Sequence, residues 1–255
     1  MRTLIVNQYL SKKLWTPAEM TTALWLDATD SSTITESGGA VSQWDDKSGN
    51  GRNVSQSTPT LQPTYSNANI NGVQAILFDS DSLVNTAVGL PTSAASARSM
   101  FVVYRPTKTG INGLCGQGFA ASNGSWFVLQ SRDFLGDPFF AGYVPYSVGG
   151  GPGTVTFTPK IAEIIYDGTS GTLFGTGNQY NTENLTLNTS GDRFTVGSSP
   201  GGSEPHGGEI GEVIFVSSAV SSIIREKIEG YLAHKWGLTA NLPVNHPYKT
   251  TPPYV

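Results

Sequence analysis

The sequence predicts an all-β fold, a two-sheet antiparallel β-sandwich of the jelly-roll type with one short helix near the C-terminus. Charged residues make up 13% of the 255 residues, about half of the usual share, and glycine occurs 30 times. Short apolar segments of alternating polarity are separated by Gly, Asn, Asp, Ser and Pro, which is typical of strands joined by tight turns. A single amphipathic segment follows near the end of the chain.

The predicted strands are short runs of β-branched and aromatic residues bounded by turn residues. The clearest are SMFVVY at residues 99–104 and IAEIIY at residues 161–166. No internal repeat is evident, which argues against a propeller or a solenoid. The full set of predicted strands covers residues 23–27, 75–78, 98–105, 126–131, 154–157, 160–166, 171–174, 193–196 and 209–216.

One helix is predicted after residue 220. Ser221 or Ser222 can cap its N-terminus, and Gly237 provides a left-handed stop. Its apolar face, which is expected to lie against the sandwich, consists of Ile224, Ile228, Tyr231 and Leu232.

These elements divide the chain into an N-terminal arm (residues 1–20), a sandwich domain (residues 21–240) and a C-terminal tail (residues 241–255). The tail is rich in proline and is expected to run extended over the surface. The arm places Trp15 close to Pro17, and such a segment needs a surface to lie against. Two placements of the arm are left open: it packs on its own domain, or it docks on another subunit or a larger assembly.

Composition excludes several classes of function. The formal net charge is −4 and Lys and Arg are not clustered, so no nucleic-acid partner is expected. No apolar run approaches the ~20 residues that cross a membrane, so no membrane insertion is expected. The N-terminus has neither a sustained apolar core nor a small-residue cleavage site, which predicts synthesis in the cytoplasm without a signal peptide. The lone cysteine, Cys115, cannot form an internal disulfide.

Five segments spread over nearly the whole chain carry a resemblance to a known superfamily. They are LWLDATD (24–30), VSQWDDKSGNG (41–51), VQAILFD (73–79), GEIGEVIF (208–215) and IEGYLAHKWGL (228–238). Together they resemble the concanavalin A-like lectin/glucanase superfamily, in the laminin G-like branch found in bacterial surface proteins and phage virion proteins. The resemblance implies a β-sandwich but no particular ligand, because that superfamily includes lectins, hydrolases, lyases and adhesive modules.

The run LWTPA at residues 14–18 resembles the start of tailed-phage structural proteins, which implies a virion component. The first functional hypothesis is therefore a non-catalytic phage virion protein, structural or adhesive, in a tail, fibre or capsid decoration. It is expected to bind carbohydrate or another component of the host surface, or simply another virion protein. Its expected partners are other virion proteins, a host surface glycan and further copies of itself in a homo-oligomer. Two alternatives stay open: a carbohydrate-active enzyme, depolymerase or lyase, on the same fold, and a purely architectural virion protein without a small ligand.

The glutamates at residues 209–212 are the nearest approach to a catalytic pair. Glycosidases of the superfamily carry Glu-x-Asp-x-x-Glu on an inner strand, whereas EIGE has Gly211 in place of the Asp and its second Glu too early. Because strand side chains alternate, Glu209 and Glu212 are expected on opposite faces, unable to form a retaining pair roughly 5 Å apart. Glu212 is interpreted as a structural acceptor, Glu209 as solvated and Glu163 as an outward strand residue. We therefore predict no enzymatic activity.

The candidate carbohydrate site is the aromatic segment at residues 124–146, together with a histidine in a glycine-rich loop. Sugars stack their apolar faces on aromatic rings, while Asp, Asn and backbone groups bind the hydroxyls. Strand alternation would send part of this aromatic set into the core. The predicted binding residues are Trp126, Asp137, Phe139, Tyr143, Tyr146 and His206.

No cofactor is expected from the sequence, and calcium binding is kept as the alternative. Asp79 and Asp81 offer a carboxylate pair two residues apart, and Ca²⁺ prefers such hard oxygen ligands. The segment DDKSGNG at residues 45–51 resembles a calcium loop but lacks the distal bidentate Glu. Turn chemistry by Asp46 and Ser48 explains it better.

Overall fold

The computed structural model describes residues 12–65, 68–93, 95–119, 122–133, 136–143, 145–150, 156–189 and 191–255. These residues form an α-helix, α1 (Ser222–Lys235), and a series of strands. In chain order the strands are β1 (Leu24–Asp27), β2 (Ile34–Ser37), β3 (Ala40–Trp44), β4 (Val54–Ser55), β5 (Asn69–Ile70), β6 (Val73–Gln74), β7 (Ile76–Asp79), β8 (Leu83–Asn85), β9 (Arg98–Pro106), β10 (Ile111–Gln117), β11 (Phe127–Arg132), β12 (Gly136–Ala141), β13 (Ser147–Val148), β14 (Lys160–Tyr166), β15 (Ser170–Gly175), β16 (Asn178–Asn184), β17 (Phe194–Val196) and β18 (Gly207–Val216).

The strands form two antiparallel sheets packed face to face, which confirms the predicted sandwich. The seven-stranded sheet has the order β1-β18-β9-β14-β15-β16, with β7 also paired to β18. The nine-stranded sheet has the order β13-β12-β11-β10-β17-β8-β4-β3-β2, and β5 and β6 form a separate hairpin.

The core lies between the sheets, and the central strands are buried on both sides. In β9, Met100, Val102 and Tyr104 point into the space between the sheets, whereas Phe101 and Val103 belong to the cluster under the helix. All five side chains are fully buried. A strand covered on both faces has an unbroken apolar sequence, which explains why this segment is so easily predicted.

Helix α1 covers the outer face of the seven-stranded sheet. The Ser221 side chain accepts a hydrogen bond from the Ile224 N–H at 3.4 Å, and Gly237 adopts a φ of 67° as the left-handed stop. Ile228 and Leu232 are fully buried against the sheet. The predicted helix, its cap and its apolar face are confirmed. Among the described helices, none is long and apolar enough to cross a bilayer.

The described part of the arm lies beside the tail. The Trp15 N–H donates to the Pro253 carbonyl at 3.0 Å, and the Val255 N–H donates to the Lys13 carbonyl at 2.9 Å. Trp15 is only 5% exposed, and its ring meets the Tyr231 ring of α1 with centroids 6.2 Å apart. Residues 12–20 therefore pack on their own domain, while residues 1–11 of the predicted arm lie outside the described residues.

The predicted strands have observed counterparts with one exception, and β14 has the predicted bounds. Of the strand predicted at residues 154–157, the first two residues lie outside the described ranges and the last two are not in a strand. Turn chemistry at residues 45–51 is confirmed. Asp46 accepts hydrogen bonds from the backbone N–H groups of Trp25, Ser48 and Arg52 at 2.9, 2.9 and 3.0 Å.

Candidate functional site

A third apolar cluster lies on the outer face of the nine-stranded sheet, apart from the core and from the cluster under the helix. Strands β11 and β12 build it, with Val128 opposite Ala141 and Gln130 opposite Phe139. Their alternate residues, such as Phe127, point into the core, so the neighbours must point outward. The outer cluster consists of Trp126, Val128, Phe139, Ala141 and Tyr143.

This cluster forms one wall of a pocket of about 380 Å³, called the aromatic pocket below. Its volume is at the lower end of the roughly 300–1,000 Å³ that small-molecule sites occupy. The Trp126 and Tyr143 rings meet edge to face with centroids 4.9 Å apart, and the Arg132 guanidinium lies 4.2 Å from the Phe139 ring centroid. The lining residues are Ile111, Trp126, Arg132, Phe139, Ala141, Tyr143, Pro145, Ser147 and Glu204.

Two charged side chains, Arg132 and Glu204, stand together in the lining. Nε of Arg132 donates to Oε1 of Gln130 at 2.5 Å, and its Nη2 lies 3.8 Å from Oε1 of Glu204. Oε2 of Glu204 accepts hydrogen bonds from the Ser199 hydroxyl at 2.7 Å and from the Gln130 amide. Burial lowers the pKa of Arg132, and the charge of Glu204 opposes that shift. Since Gln130 and Ser199 are fully buried, they fix the Glu204 carboxylate in place.

Two residues of the lining have a left-handed backbone. Tyr143 has a φ of 66° and Glu204 a φ of 51°. A residue with a side chain pays of order 1–3 kcal/mol for this conformation, which persists only where the surroundings impose it and which is frequent at functional sites. The Glu204 carbonyl accepts a hydrogen bond from the Gly113 N–H at 2.7 Å, and the Tyr143 carbonyl accepts one from the Tyr146 N–H at 3.2 Å.

The structure brings three of the six predicted carbohydrate-binding residues together in the aromatic pocket: Trp126, Phe139 and Tyr143. Trp126 and Phe139 are 6% and 5% exposed, and Tyr143 is half-buried. Tyr146 lies apart, because its ring packs against the main core. A role in sugar binding stays a prediction for each of them.

Asp137 and His206 lie in the interior, so the expectation that they are accessible to a ligand is corrected. Asp137 is fully buried, accepts a hydrogen bond from the Tyr104 hydroxyl at 2.5 Å and pairs with Lys160. His206 is fully buried because the glycines after it begin β18, which pairs with β7, instead of forming a loop. Burial lowers the pKa of His206 to about 3, so its ring is neutral.

Asp79 and Asp81, the predicted calcium ligands, flank a turn at the end of β7. Oδ2 of Asp81 accepts a hydrogen bond from the Asp79 N–H at 3.1 Å, which is ordinary turn chemistry. Burial raises the pKa of Asp81. Within the described ranges, no group of three or more His, Cys, Asp or Glu residues could hold a metal ion. Calcium binding by this pair stays a prediction.

The two glutamates of β18 share a face of the sheet, so the argument from strand alternation is wrong. The pairing of β18 with β9 shifts register between Ile210 and Glu212, which makes Gly211 the extra residue of a β-bulge. Glu209 and Glu212 therefore both lie on the outer side, opposite the inward Ile210. Glu209 is 5% exposed and pairs with Arg105, which corrects its interpretation as solvated.

Glu212 is the acceptor at the centre of the contact between helix and sheet, as interpreted from the sequence. Oε1 accepts hydrogen bonds from the Trp25 indole at 2.7 Å and the Tyr231 hydroxyl at 2.9 Å. Oε2 accepts hydrogen bonds from the Lys235 ammonium at 2.7 Å and the Trp236 indole at 2.9 Å. Burial raises the pKa of Glu212, and Lys235 opposes that shift. Both oxygens are thus occupied by the protein itself.

A second buried carboxylate pair joins β14 to α1. Glu163 faces outward, as interpreted, but the helix covers it, and it shares a hydrogen bond with Glu229. Burial, with the charge of Glu229, raises the pKa of Glu163 well above its usual value, so Glu163 holds the proton. Burial alone would raise the pKa of Glu229. His246, whose Nε2 lies 2.8 Å from Oε2 of Glu229, and the charge of Arg225 help to lower that pKa below its usual value instead.

The two charged residues of the aromatic pocket were not predicted as site residues. Arg132 lies within the aromatic segment, and its position in that segment is the signal that could have found it. Glu204 comes from a loop of Gly, Ser and Pro far along the chain, where no local pattern indicates a contact with β11.

Comparisons with known proteins support the fold. No protein-family model and no curated protein matches the sequence. Among solved structures, the chain is similar to an arabinofuranosidase complexed with arabinofuranosyl-α-1,2-xylobiose (TM-score 0.61, 13% identity, 85% of this chain and 59% of that one). It is also similar to a GH54 α-L-arabinofuranosidase soaked with 4-nitrophenyl α-L-arabinofuranoside (TM-score 0.64, 12% identity, 89% of this chain and 61% of that one).

A third similar structure is a single domain. It is domain 4 of AbnA, a GH43 extracellular arabinanase from Geobacillus stearothermophilus, in complex with arabinotriose (TM-score 0.57, 12% identity, 79% of this chain and 94% of that one). At these identities the likeness shows a shared β-sandwich fold. The chain spans 59% and 61% of the two arabinofuranosidases.

Proposed function

We propose that this chain is a non-catalytic carbohydrate-binding β-sandwich whose ligand site is the aromatic pocket. The observation that carries the proposal is the aromatic cluster of Trp126, Phe139 and Tyr143, which lies outside the core beside a charged pair. Sugars present apolar faces that stack on aromatic rings and hydroxyls that need donors and acceptors. The pocket supplies a half-buried ring in Tyr143, packed against Trp126, together with a donor in Arg132 and an acceptor in Glu204.

Two features of the pocket support a binding role over a purely structural one. Tyr143 and Glu204, which both line the pocket, hold a left-handed backbone conformation that is strained for residues with a side chain. The indole N–H of Trp126, a residue of the pocket wall, is buried without a hydrogen-bond partner among the described residues, and such an exception calls for an explanation.

The solved structures provide further support and suggest the first probes. The arabinanase domain was solved with arabinotriose and the arabinofuranosidases with arabinose-containing compounds. Because identities of 12–13% carry the fold alone, arabinotriose is a probe for this chain and not an assigned ligand.

The arrangement of carboxylates favours binding without turnover. Glycosidases ordinarily place two carboxyl groups on either side of the scissile bond. Glu204 is the one carboxylate in the described lining of the pocket, and the protein already engages its Oε2. The other glutamate pairs lie on the seven-stranded sheet or in α1, which covers it, and there Glu209, Glu212 and Glu229 pair with Arg105, Lys235 and His246.

The test is an oligosaccharide array that includes arabinotriose, followed by titration calorimetry with the glycans that bind. Tyr143→Gly should weaken binding by about tenfold or more, because it removes a stacking ring. Phe157→Ala is the matched control, since Phe157 is 54% exposed and does not line the pocket. A blank array, or Tyr143→Gly binding as tightly as the unsubstituted protein, would refute the proposal. Release of reducing ends that Glu204→Gln abolishes would favour the enzymatic alternative.

We further propose that the protein is displayed on a phage particle as part of a tail, a fibre or a capsid decoration. Support comes from the resemblance of residues 14–18 and of the five segments quoted above to phage virion proteins. Display in several copies would raise the avidity of a weak single site. Mass spectrometry of purified particles should detect the protein at many copies per particle, and light scattering should show an oligomer. Its absence from particles would contradict the proposal.

A further inference from the structure

We propose that the aromatic pocket selects neutral sugars with a free vicinal diol, and that Glu204 and Arg132 bind the two neighbouring hydroxyls. The inference rests on the proposed carbohydrate-binding function and goes beyond it by naming the chemical feature of the ligand.

The spacing of the pair suits two hydroxyl groups. Nη2 of Arg132 and Oε1 of Glu204 are 3.8 Å apart, longer than a direct hydrogen bond of roughly 2.7–3.2 Å. The guanidinium and the carboxylate attract each other electrostatically, but they form no direct hydrogen bond with each other. Adjacent hydroxyls of one sugar ring can serve both, because one hydroxyl donates to the carboxylate while its neighbour accepts from the guanidinium.

Both groups are held in position by third residues. The Gln130 side chain contacts each of them: its amide donates to Glu204, and its carbonyl accepts from Arg132 at 2.5 Å. Ser199 holds the same Glu204 oxygen at 2.7 Å, and Phe139 supports the guanidinium from below. A donor and an acceptor fixed in this way lose little freedom when a ligand binds.

Exposure and charge indicate the class of sugar. The side chains of Arg132 and Glu204 are 15% and 25% exposed, so a ligand in the pocket can reach them. An acidic sugar directed at Arg132 would place its carboxylate beside that of Glu204, and like charges at this range repel. A neutral sugar meets no such repulsion and uses both members of the pair.

The first experiment changes the ligand and leaves the protein intact. Two copies of the oligosaccharide array are printed, and one copy is treated with periodate, which cleaves the carbon–carbon bond between vicinal hydroxyls, and then reduced with borohydride. Glycans that bind on the untreated copy should lose about tenfold or more of their affinity on the treated copy, the loss expected from one hydrogen bond to a charged group. Titration with untreated and treated arabinotriose repeats the comparison in solution.

The second experiment changes the protein. Glu204→Gln should weaken binding of the untreated glycan by about tenfold, with little further loss on the treated glycan, because both changes remove the same contact. Glu183→Gln is the matched control, an exposed glutamate on the other sheet. Melting temperatures of both variants show whether the loop at Glu204 stays folded.

The outcomes separate this inference from the proposed function. A blank array overturns both. Binding that depends on Tyr143 but survives periodate treatment, or that Glu204→Gln leaves unchanged, overturns the diol inference alone. Binding confined to uronic or sialic acid glycans overturns the choice of neutral sugars.

Discussion

The two outer faces of the sandwich use similar residues in opposite ways. On the seven-stranded sheet, two tryptophan indoles, a tyrosine and a lysine converge on Glu212, and α1 seals the cluster. On the nine-stranded sheet, Trp126, Tyr143 and Arg132 line an open pocket beside Glu204. Oε1 of Glu204 receives no hydrogen bond from the part of the chain that the structure describes, whereas both oxygens of Glu212 are used.

The difference lies in how many oxygens of the central carboxylate the protein itself engages. A buried carboxylate with all its partners inside the protein holds elements together and is closed to a ligand. A carboxylate fixed through one oxygen keeps the other for an external partner. The same chemistry therefore covers one face of this protein and leaves an open pocket on the other face.

The largest predicted effect concerns Glu212, at the centre of the face that α1 covers. Glu212→Ala should lower the free energy of unfolding by about 3–5 kcal/mol, because it leaves buried donors of Trp25, Trp236 and Lys235 without their acceptor. Urea unfolding measures the loss. Glu209→Gln on the same strand should cost far less, since its partner Arg105 is 36% exposed. Equal losses for the two variants would contradict the central role of Glu212.

The Glu163→Gln variant tests whether the packing of α1 on the seven-stranded sheet depends on a proton bound to Glu163. Because the pKa of Glu163 is raised, the folded protein keeps a proton that the unfolded chain loses above a pH of about 4.5. The folded state then binds more protons, so stability falls as pH rises from there toward the raised pKa, by up to about 1.4 kcal/mol per pH unit. Glu163→Gln cannot ionise and should remove this slope.

The measurement is urea unfolding between about pH 5 and about pH 8. The Glu163→Gln variant should be the more stable protein at the upper end, because its amide still donates to Glu229 without losing a proton. Glu183→Gln, at an exposed position, should follow the unsubstituted protein. Parallel curves for all three proteins would show that Glu163 titrates normally.

The smallest predicted effect concerns the open face. Tyr143→Gly should be more stable than Tyr143→Ala by about 1 kcal/mol, the reverse of the usual order, because glycine accepts a φ of 66° without strain. Thermal unfolding of the two variants measures the difference. Alanine equal to or better than glycine would show that the pocket stores no strain at Tyr143.

The local sequence pattern predicted those strands of the sandwich whose burial gives them a recognisable pattern of apolar residues. Strand β14 is covered on both sides and its bounds were predicted, whereas β10, with the sequence INGLCGQ, was missed. Its Gly116 is required by a neighbour distant in sequence, since a Cβ there would lie 2.4 Å from the Phe127 carbonyl oxygen. Strand β16 is polar and exposed, and pairing with β15 alone makes it a strand.

The aromatic half of the candidate site was predictable because it lies on one hairpin. Trp126, Phe139 and Tyr143 are close in the chain, and β11–β12 pairing brings them together. Glu204 was missed because the contact depends on how a distant loop folds over β11. Asp137 was assigned to the surface because its buried partners, Tyr104 and Lys160, belong to other strands.

The bulge at Gly211 has a consequence for how the chain length can vary. Its extra residue leaves Ile210 and Val213 both inward, so the alternation of faces continues across it as if the strand were one residue shorter. A Cβ at Gly211 would lie 2.5 Å from the Trp236 ring, so only the smallest residue fits there. Removing Gly211 would return the strand to plain alternation with Ile210 and Val213 still inward and Glu209 and Glu212 still outward, so the bulge lengthens the strand without changing which residues face the core.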